Sequence, residues 1–190
     1  GYTYDCFSGN CSGGSTGGGN SSVASSVNNG GGNTNCAGYV GITFDDGPNN
    51  NSTALVNLLK QHNLTPVTWF VQGNNTTNNR NLIAQLLSVG EVQNHSFSHP
   101  QMGSMSYQQI YDELNRTNQA IQNAGAPKPT LFRPPYGTNN STIQQAANAL
   151  GLRLITWNVD SQDWNGASAS AIANAANQLQ NGQVILMHDG

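Results

Sequence analysis

Acidic and histidine side chains are rare in this chain, yet several of them stand in close pairs. Asp45 and Asp46 are neighbours in a sequence of 190 residues of which 8% are charged, and His95 and His99 lie four residues apart. Two adjacent carboxylates repel each other when they leave water, and a bound cation offsets that cost. Catalytic zinc sites combine three protein ligands with an open position for water. The two histidines and one carboxylate supply such a set, which leaves the other carboxylate as a general base.

Four further residues supply the remaining functions of a hydrolase that acts on a carbonyl group. Arg133 is suited to keep the base ionised through a forked hydrogen bond. His188 is suited to be the general acid for the leaving group, provided that a carboxylate such as Asp163 supports its protonated form. Backbone N–H groups around Tyr136 can receive the developing oxyanion. Together these residues predict a metal-assisted hydrolase.

Each of these segments also has an ordinary structural explanation. Asp-Gly-Pro is a turn sequence, and two histidines four apart can share one helix face without binding an ion. RPPYG (residues 133–137) fits a rigid turn, and DSQDW (residues 160–164) fits a solvated loop. Their joint occurrence at the ends of successive predicted strands favours a functional site.

Apolar runs typical of strands alternate with amphipathic stretches from residue 39 onward. Strands are predicted near residues 40–44, 67–71, 92, 131–132, 154–157 and 184–187. A helix capped by Ser52 is predicted to place Leu58 on its apolar face. Ser106 and Ser141 each precede a Gln by three residues, which is the capping-box spacing of a helix start. A fourth helix is predicted around residues 172–179.

This alternation predicts parallel strands joined by right-handed crossovers. About 150 residues is short for eight strand-helix units, so we expect an α/β fold in the form of a distorted, incomplete (β/α) barrel. In such folds the active site lies at the carboxyl ends of the strands. The chemically capable residues do follow the predicted strands.

The composition argues against several classes of partner. The net charge is -3, so no basic surface favours a nucleic acid or an anionic membrane. No apolar run approaches the roughly 20 residues that span a bilayer. Heavy use of Asn, Ser, Gly and Thr with little Lys or Glu predicts a secreted, extracellular protein.

Residues 1–35 are predicted to form a flexible tail. Within it, residues 12–35 have the composition of a Gly/Ser/Asn linker, which implies further modules to be linked. Cys6 and Cys11 can close a small loop in an oxidising compartment. Cys36 is then left over, either with a partner beyond Gly190 or as a buried free thiol.

The chain resembles the polysaccharide deacetylases, carbohydrate esterase family 4 with the NodB homology domain, whose five motifs correspond in order to ITFDDGP, NHSFSHP, RPPYG, DSQDW and ILMH. The resemblance covers about residues 36–190, which we take as the catalytic domain. It implies a distorted (β/α) barrel and metal-dependent removal of acetyl groups from a carbohydrate polymer. Family members usually continue past the last motif, so it also implies a domain truncated at its C-terminus.

The resemblance assigns roles that residue types alone leave open. It implies that Asp45 is the base and that Asp46 binds the metal together with His95 and His99, while Arg133 tethers Asp45. Zn²⁺ is the expected ion, although Co²⁺ or Ni²⁺ suits this ligand set as well. Because adjacent residues of an extended chain point to opposite sides, we expect the two carboxylates to reach different partners.

The same resemblance describes the leaving-group side and the substrate pocket. It implies that Asp163 tunes His188, and that Trp164 and Leu186 line the pocket for the acetyl methyl group. Tyr136 is expected beside the substrate. Further modules in the full-length protein would be carbohydrate-active.

Within the family, WNVDSQDWN and NGQVILMHDG look most like bacterial acetylxylan esterases. Deacetylases of chitin oligomers share much of this pattern and remain an alternative. A non-catalytic carbohydrate-binding relative is a second one, although such relatives usually lack a ligand or the base. A serine esterase would need a G-x-S-x-G elbow after a strand, and the sequence contains none there.

Overall fold

The computed structural model describes residues 39–189 and contains seven β-strands in one sheet. The strands are β1 (Gly41–Asp45), β2 (Val67–Val71), β3 (Gly90–Asn94), β4 (Leu131–Phe132), β5 (Arg153–Leu154), β6 (Val159–Asp160) and β7 (Val184–His188). The predictions for the tail, the linker, Cys6, Cys11 and Cys36 lie outside the described residues.

Six α-helices and four single-turn 3₁₀ segments connect the strands in this part of the chain. The α-helices are α1 (Ser52–Gln61), α2 (Gly73–Asn78), α3 (Ile83–Leu87), α4 (Tyr107–Asn123), α5 (Ser141–Ala149) and α6 (Ala169–Ala176). The 3₁₀ turns are Arg80–Leu82, Met102–Ser104, Pro135–Gly137 and Asp163–Asn165. Between residues 39 and 189, no helix is long and apolar enough to cross a membrane.

The strand order is β5-β4-β3-β2-β1-β7-β6, and every neighbouring pair is parallel. The sheet ends at β5 and β6, which follow each other in the chain, so the sheet forms a half-barrel. The predicted incomplete (β/α) barrel is therefore confirmed. All seven carboxyl ends lie on one side, because parallel strands share their direction.

Two apolar clusters fix the sheet against its helices. The first contains Trp69, Phe44 and Ile83 and packs α1 and α3 on β1–β3. The second contains Phe132 and Ile143 and packs α4 and α5 on β4. Trp69, Ile83, Phe132 and Ile143 are fully buried, so the strand ends that carry the polar residues rest on a closely packed base.

The helix starts differ in part from the predicted ones. The capping box at Ser106 is present, with the Ser106 hydroxyl accepting from the Gln109 amide and the Gln109 side chain accepting from the Ser106 amide. At α5 the predicted capping box is wrong, because the Asn140 side chain caps the helix instead. The predicted burial of Leu58 is also wrong, since Leu58 is 51% exposed.

The sheet contains one strand more than predicted. The predicted strand at 154–157 is mostly wrong, because only Leu154 lies in a strand, β5, and β6 lies beyond the predicted range. Residues 155–158 instead connect the two edges of the sheet: the Ile155 amide donates to β4 and the Asn158 amide donates to β7. The helices between β2 and β3 were not predicted. α2 is rich in Asn and Thr, which are weak helix formers, and its first two amides bond to the carbonyls of Ser96 and Phe97.

Candidate active site

The two neighbouring carboxylates lie at the end of β1 and approach the same histidine. Asp46 has a left-handed φ of 79°, which is uncommon for a residue other than glycine. Gln72 Nε2 donates to Asp46 Oδ1 at 2.9 Å, and Asn75 Nδ2 donates to the Asp46 carbonyl at 2.7 Å. Asp45 Oδ2 and Asp46 Oδ1 lie 3.6 Å and 3.4 Å from His95 Nε2. The two carboxylates converge on one histidine because the chain leaves the extended conformation at Asp46, yet their hydrogen-bond partners differ as expected: Arg133 binds Asp45 and Gln72 binds Asp46.

The two histidines follow β3 in a loop, so they converge without a helix. His95 Nδ1 lies 2.7 Å from the Arg133 carbonyl oxygen. Since a carbonyl can only accept, Nδ1 carries the proton and Nε2 has a free lone pair for a metal. Ser96 and His99 have φ values of 65° and 56°, and these two left-handed residues turn the chain back so that the rings of His95 and His99 lie 5.0 Å apart.

Asp46, His95 and His99 form a group with the donor set of a metal site. Asp46 Oδ1 is 3.4 Å from Nε2 of each histidine, and the three ligand atoms lie within 4.8 Å of one another. Burial acts to raise the pKa of Asp46, but its polar contacts with His95 and Gln72 hold the pKa well below its usual range. Burial, together with the neighbouring His95, lowers the pKa of His99. An ionised carboxylate and a neutral imidazole are the forms that bind metals, so these residues fit a divalent cation.

Arg133 lies behind Asp45 and is fully buried. Its Nη1 donates to Asp45 Oδ1 and to Thr43 Oγ1, both at 2.7 Å, and Nη2 donates to the Thr156 carbonyl at 3.0 Å. Its guanidinium lies 4.2 Å from the centre of the Phe70 ring. The bond to Asp45 therefore uses one nitrogen and not a fork. It leaves Asp45 Oδ2 facing His95 and the metal ligands.

His188 ends β7 and lies beside Asp45, its register partner on the neighbouring strand β1. Asp163 binds it twice: Oδ1 lies 2.7 Å from His188 Nδ1, and Oδ2 accepts from the His188 backbone amide at 2.7 Å. Burial acts to lower the pKa of His188, but the hydrogen bond and charge of Asp163 outweigh it and raise the pKa above its usual range. The arrangement favours a protonated imidazole close to a carboxylate base.

Nine of the ten predicted site residues line one open cavity of about 710 Å³, and the tenth, Arg133, is buried behind Asp45. The nine are Asp45, Asp46, His95, His99, Tyr136, Asp163, Trp164, Leu186 and His188. Leu186 is 4% exposed, whereas Tyr136 and Trp164 are 64% and 61% exposed. The cavity thus has polar side chains at its bottom, an apolar wall and two aromatic side chains at its rim.

Three residues to which the sequence assigned no individual role also line this cavity: Pro134 and Asp160, from the RPPYG and DSQDW segments, and Trp157. Asp160 accepts from the Trp164 indole nitrogen at 3.3 Å and so fixes that ring. The Trp157 indole packs against Gly137, where an added Cβ would lie 2.9 Å from the ring. Asp160 ends short strand β6 and Trp157 lies two residues before it. The DSQDW segment and the predicted strand end at Trp157 were the available signals.

Comparison with known proteins agrees with this geometry. The profile of the polysaccharide deacetylase family matches residues 32–155. A bifunctional xylanase/xylan deacetylase of Cellvibrio japonicus is 78% identical over 191 residues, covering 100% of this chain and 29% of that protein. A peptidoglycan-N-acetylglucosamine deacetylase of Listeria monocytogenes is 35% identical over 153 residues, covering 79% of this chain and 32% of that protein. The chain therefore spans less than a third of the length of these two relatives.

Solved structures show the same architecture. A family 4 carbohydrate esterase from Streptomyces lividans, determined in complex with acetate, superposes with a TM-score of 0.80 and 46% identity over 82% of this chain and 81% of that chain. The peptidoglycan deacetylase PdaC from Bacillus subtilis superposes with a TM-score of 0.71 and 32% identity, covering 79% of this chain and 74% of that one.

Proposed function

Because the chain belongs to the polysaccharide deacetylase family, we propose that it removes acetyl groups from an acetylated polysaccharide, and specifically O-acetyl groups from acetylxylan. The observation that carries the proposal is the convergence of a metal-ligand triad, a buried carboxylate and a histidine-carboxylate pair in one cavity. The xylan assignment is supported by the 78% identical relative, whose name includes xylan deacetylase.

Asp46, His95 and His99 would hold a divalent cation, for which we propose Zn²⁺, with Co²⁺ or Ni²⁺ as substitutes. A cation bound there polarises the acetyl carbonyl and makes water a stronger acid. The ligands are already arranged to bind a cation, because the hydrogen bond to the Arg133 carbonyl fixes His95 as the tautomer with a free Nε2. Gln72 likewise holds the Asp46 carboxylate in place.

Asp45 is proposed as the general base that takes a proton from the attacking water. Its Oδ1 is bound to Arg133, while Oδ2 lies free toward the metal ligands, 3.6 Å from His95 Nε2. The buried guanidinium offsets the negative charge of the Asp45 carboxylate at a distance of 2.7 Å. The water oxygen then bonds to the acetyl carbon, and the backbone N–H of Tyr136 is proposed to stabilise the negative charge on the former carbonyl oxygen.

His188 is proposed as the general acid. When the bond between the acetyl carbon and the sugar oxygen breaks, that oxygen needs a proton, and protonated His188 supplies it from across the site. Asp163 prepares this step by stabilising the imidazolium. Acetate and the free hydroxyl group of the polymer are then released.

Leu186 and Trp164 are proposed to line the pocket for the acetyl methyl group, and Trp164 is proposed to contact the sugar as well. Leu186 is buried in the cavity wall and offers the apolar contact that a methyl group needs. The indole of Trp164 is open to solvent and is anchored through its nitrogen to Asp160. An exposed, fixed aromatic face is a suitable surface for stacking a sugar ring.

Release of acetate from acetylxylan tests the proposed function. We expect activity that a chelator removes and that Zn²⁺ or Co²⁺ restores. Asp45→Asn should bind Zn²⁺ as the parent does but lose about 10²- to 10⁴-fold in kcat, the usual range for a general base, whereas His95→Ala should lose both binding and turnover. Asp112→Asn, a change on the exposed side of α4, is the control. Full turnover by Asp45→Asn would refute its role as base.

The same assay on chitin oligomers addresses the alternative of N-deacetylation. A chitooligosaccharide deacetylase of a Bradyrhizobium strain is 33% identical over 156 residues, much less than the xylan deacetylase. We expect a higher kcat/KM on acetylxylan, and a preference for chitin oligomers would replace the xylan proposal. Release of acetate from neither polymer would contradict both assignments and would favour the non-catalytic relative or a deacetylase of another polymer, such as the peptidoglycan deacetylases among its relatives.

We also propose that the protein is secreted and that its full-length form carries further carbohydrate-active modules outside residues 1–190. The proposal is supported by the bifunctional xylanase/xylan deacetylase, of which this chain matches 29%. Immunodetection in the culture medium of the source organism, of a band well above the 20.1 kDa of this chain, is the expected result. A band confined to the cell pellet would contradict secretion.

A further inference from the structure

The loop that carries both histidine ligands is held in a conformation that its own sequence does not favour. Ser96 and His99 adopt φ values of 65° and 56°, and residues other than glycine stay in this sparsely populated region only where the surroundings impose it. Two local hydrogen bonds support it, from the Ser96 amide to Asn94 Oδ1 at 2.9 Å and from the His99 amide to the Ser96 hydroxyl at 3.1 Å, and neither of them holds the intervening residues 97 and 98. The position of the His99 ring therefore depends on contacts from other elements.

One side of the loop is fixed by α2. The amides of Gly73 and Asn74 donate to the carbonyls of Ser96 and Phe97 at 2.9 Å and 3.0 Å. Gly73 also packs so closely on Phe97 that an added Cβ would lie 2.4 Å from the ring. These contacts hold the loop carbonyls, but they leave the amides of Phe97 and Ser98 to be satisfied elsewhere.

The other side is fixed by one carboxylate on α4. Glu113 Oε2 accepts from the amides of both Phe97 and Ser98 at 2.9 Å, and Oε1 accepts from the Ser98 hydroxyl at 2.9 Å. Arg116, one helical turn further along α4, lies 3.8 Å from the centre of the Phe97 ring. Hydrogen bonds to an ionised acceptor are about twice as strong as neutral ones, so Glu113 is the principal restraint on the loop amides.

We propose that Glu113 is a positioning residue for the metal: by binding residues 97 and 98, it holds His99 where its Nε2 meets Asp46 and His95. The inference rests on the metal site of the proposed function. Glu113 is not a ligand, and it acts through the backbone between two ligands. Outer contacts that orient ligands contribute to metal affinity, and their loss typically weakens binding 10- to 100-fold.

Titration calorimetry with Co²⁺ on the metal-stripped protein tests the proposal, together with the visible absorption spectrum of bound Co²⁺. We expect Glu113→Ala to bind Co²⁺ about 10- to 100-fold more weakly and to show an altered spectrum. Glu113→Gln keeps an oxygen that accepts from the two amides, so its affinity should lie between those of Glu113→Ala and the parent. Asp112→Ala is the matched control, because the neighbouring Asp112 side chain accepts from Gln108 on the exposed helix surface; it should bind as the parent does.

Parental affinity and spectrum in Glu113→Ala would overturn this proposal alone, provided that the parent binds Co²⁺ and His99→Ala does not. A parent that binds no Co²⁺ would overturn the metal site and this proposal with it. Should Glu113→Ala fail to fold, Glu113→Gln decides: a loss of affinity beyond about twofold supports the positioning role, and parental affinity overturns it.

Discussion

The ion pair between Arg133 and Asp45 should respond strongly to the loss of either partner. The two side chains are 0% and 3% exposed, and their atoms lie 2.7 Å apart. Arg133→Met fills most of the volume but leaves a buried carboxylate without its cation. Removing one partner of a buried pair costs about 3 to 5 kcal/mol. In a domain of this size 1 kcal/mol corresponds to roughly 2–4 °C in Tm, so we expect Tm to fall by about 10 °C.

A double-mutant cycle separates the pair from its surroundings. Asp45→Asn alone leaves the buried Arg133 with Thr43, the Thr156 carbonyl and the Phe70 ring, so it should cost less, about 2 kcal/mol. The double variant has neither buried charge. It should therefore lose less stability than the sum of the single variants, with a coupling energy of about 2 kcal/mol.

Urea unfolding of the metal-free protein measures all four free energies of unfolding, because bound metal would add its own stabilisation. The variants should keep the m-value of the parent. If the stability losses of the two single variants add up to the loss of the double variant within about 0.5 kcal/mol, the two charges do not stabilise each other. A loss below about 1 kcal/mol for Arg133→Met would refute the view that Asp45 depends on the guanidinium.

Three further predictions concern the groups around the site. Asp163→Asn removes the carboxylate that raises the pKa of His188, so His188 should lose its proton at a lower pH than in the parent. The alkaline limb of the pH profile of kcat should therefore move to lower pH, and an unmoved limb would contradict the pairing of Asp163 with His188. Gln72→Ala removes the amide that holds Asp46 Oδ1, so calorimetry should give about tenfold weaker Zn²⁺ binding, and parental affinity would exclude this role. Burial raises the pKa of Asp189 from 3.8 to about 6 despite the hydrogen bond from Ser52. Asp189 therefore favours the folded state at low pH. Its contribution to the free energy of unfolding, about 3 kcal/mol, is lost as pH rises from roughly 4 through 6. Asp189→Asn should remove that part of the pH dependence in urea unfolding, and an unchanged profile would count against it.

Much of the fold could be predicted because its central strands carry strong local signals. The run at 67–71 matches β2, the run at 40–44 matches β1 to within one residue, and buried residues mark both strands clearly. α2 could not be predicted, since Gly, Asn and Thr give it little helical preference, and its start depends on bonds to a loop more than twenty residues away. β6 has two residues and no period that a sequence pattern can show.

The residues of the candidate site could be predicted for a different reason. Parallel strands bring their carboxyl ends together whatever the details of packing, so the acids and histidines after β1, β3 and β7 had to meet. Residues that support them were missed because their types carry no distinguishing signal. Gln72 and Asn75 are ordinary in a chain so rich in amides, and Glu113 lies in the middle of an amphipathic helix. Only tertiary contacts distinguish them.

The pair Asp45-Asp46 shows how a backbone turn changes the chemistry of a sequence. On an extended chain the two carboxylates would diverge and would not repel each other strongly. The left-handed turn at Asp46 brings both within 3.6 Å of His95 Nε2, so the fold itself creates the repulsion between them. Each carboxylate then needs its own positive partner: Arg133 lies behind Asp45, and Asp46 belongs to the group that we propose binds a divalent cation. The turn thus places the proposed base beside the proposed metal ligand, and the two separate partners offset the repulsion between them.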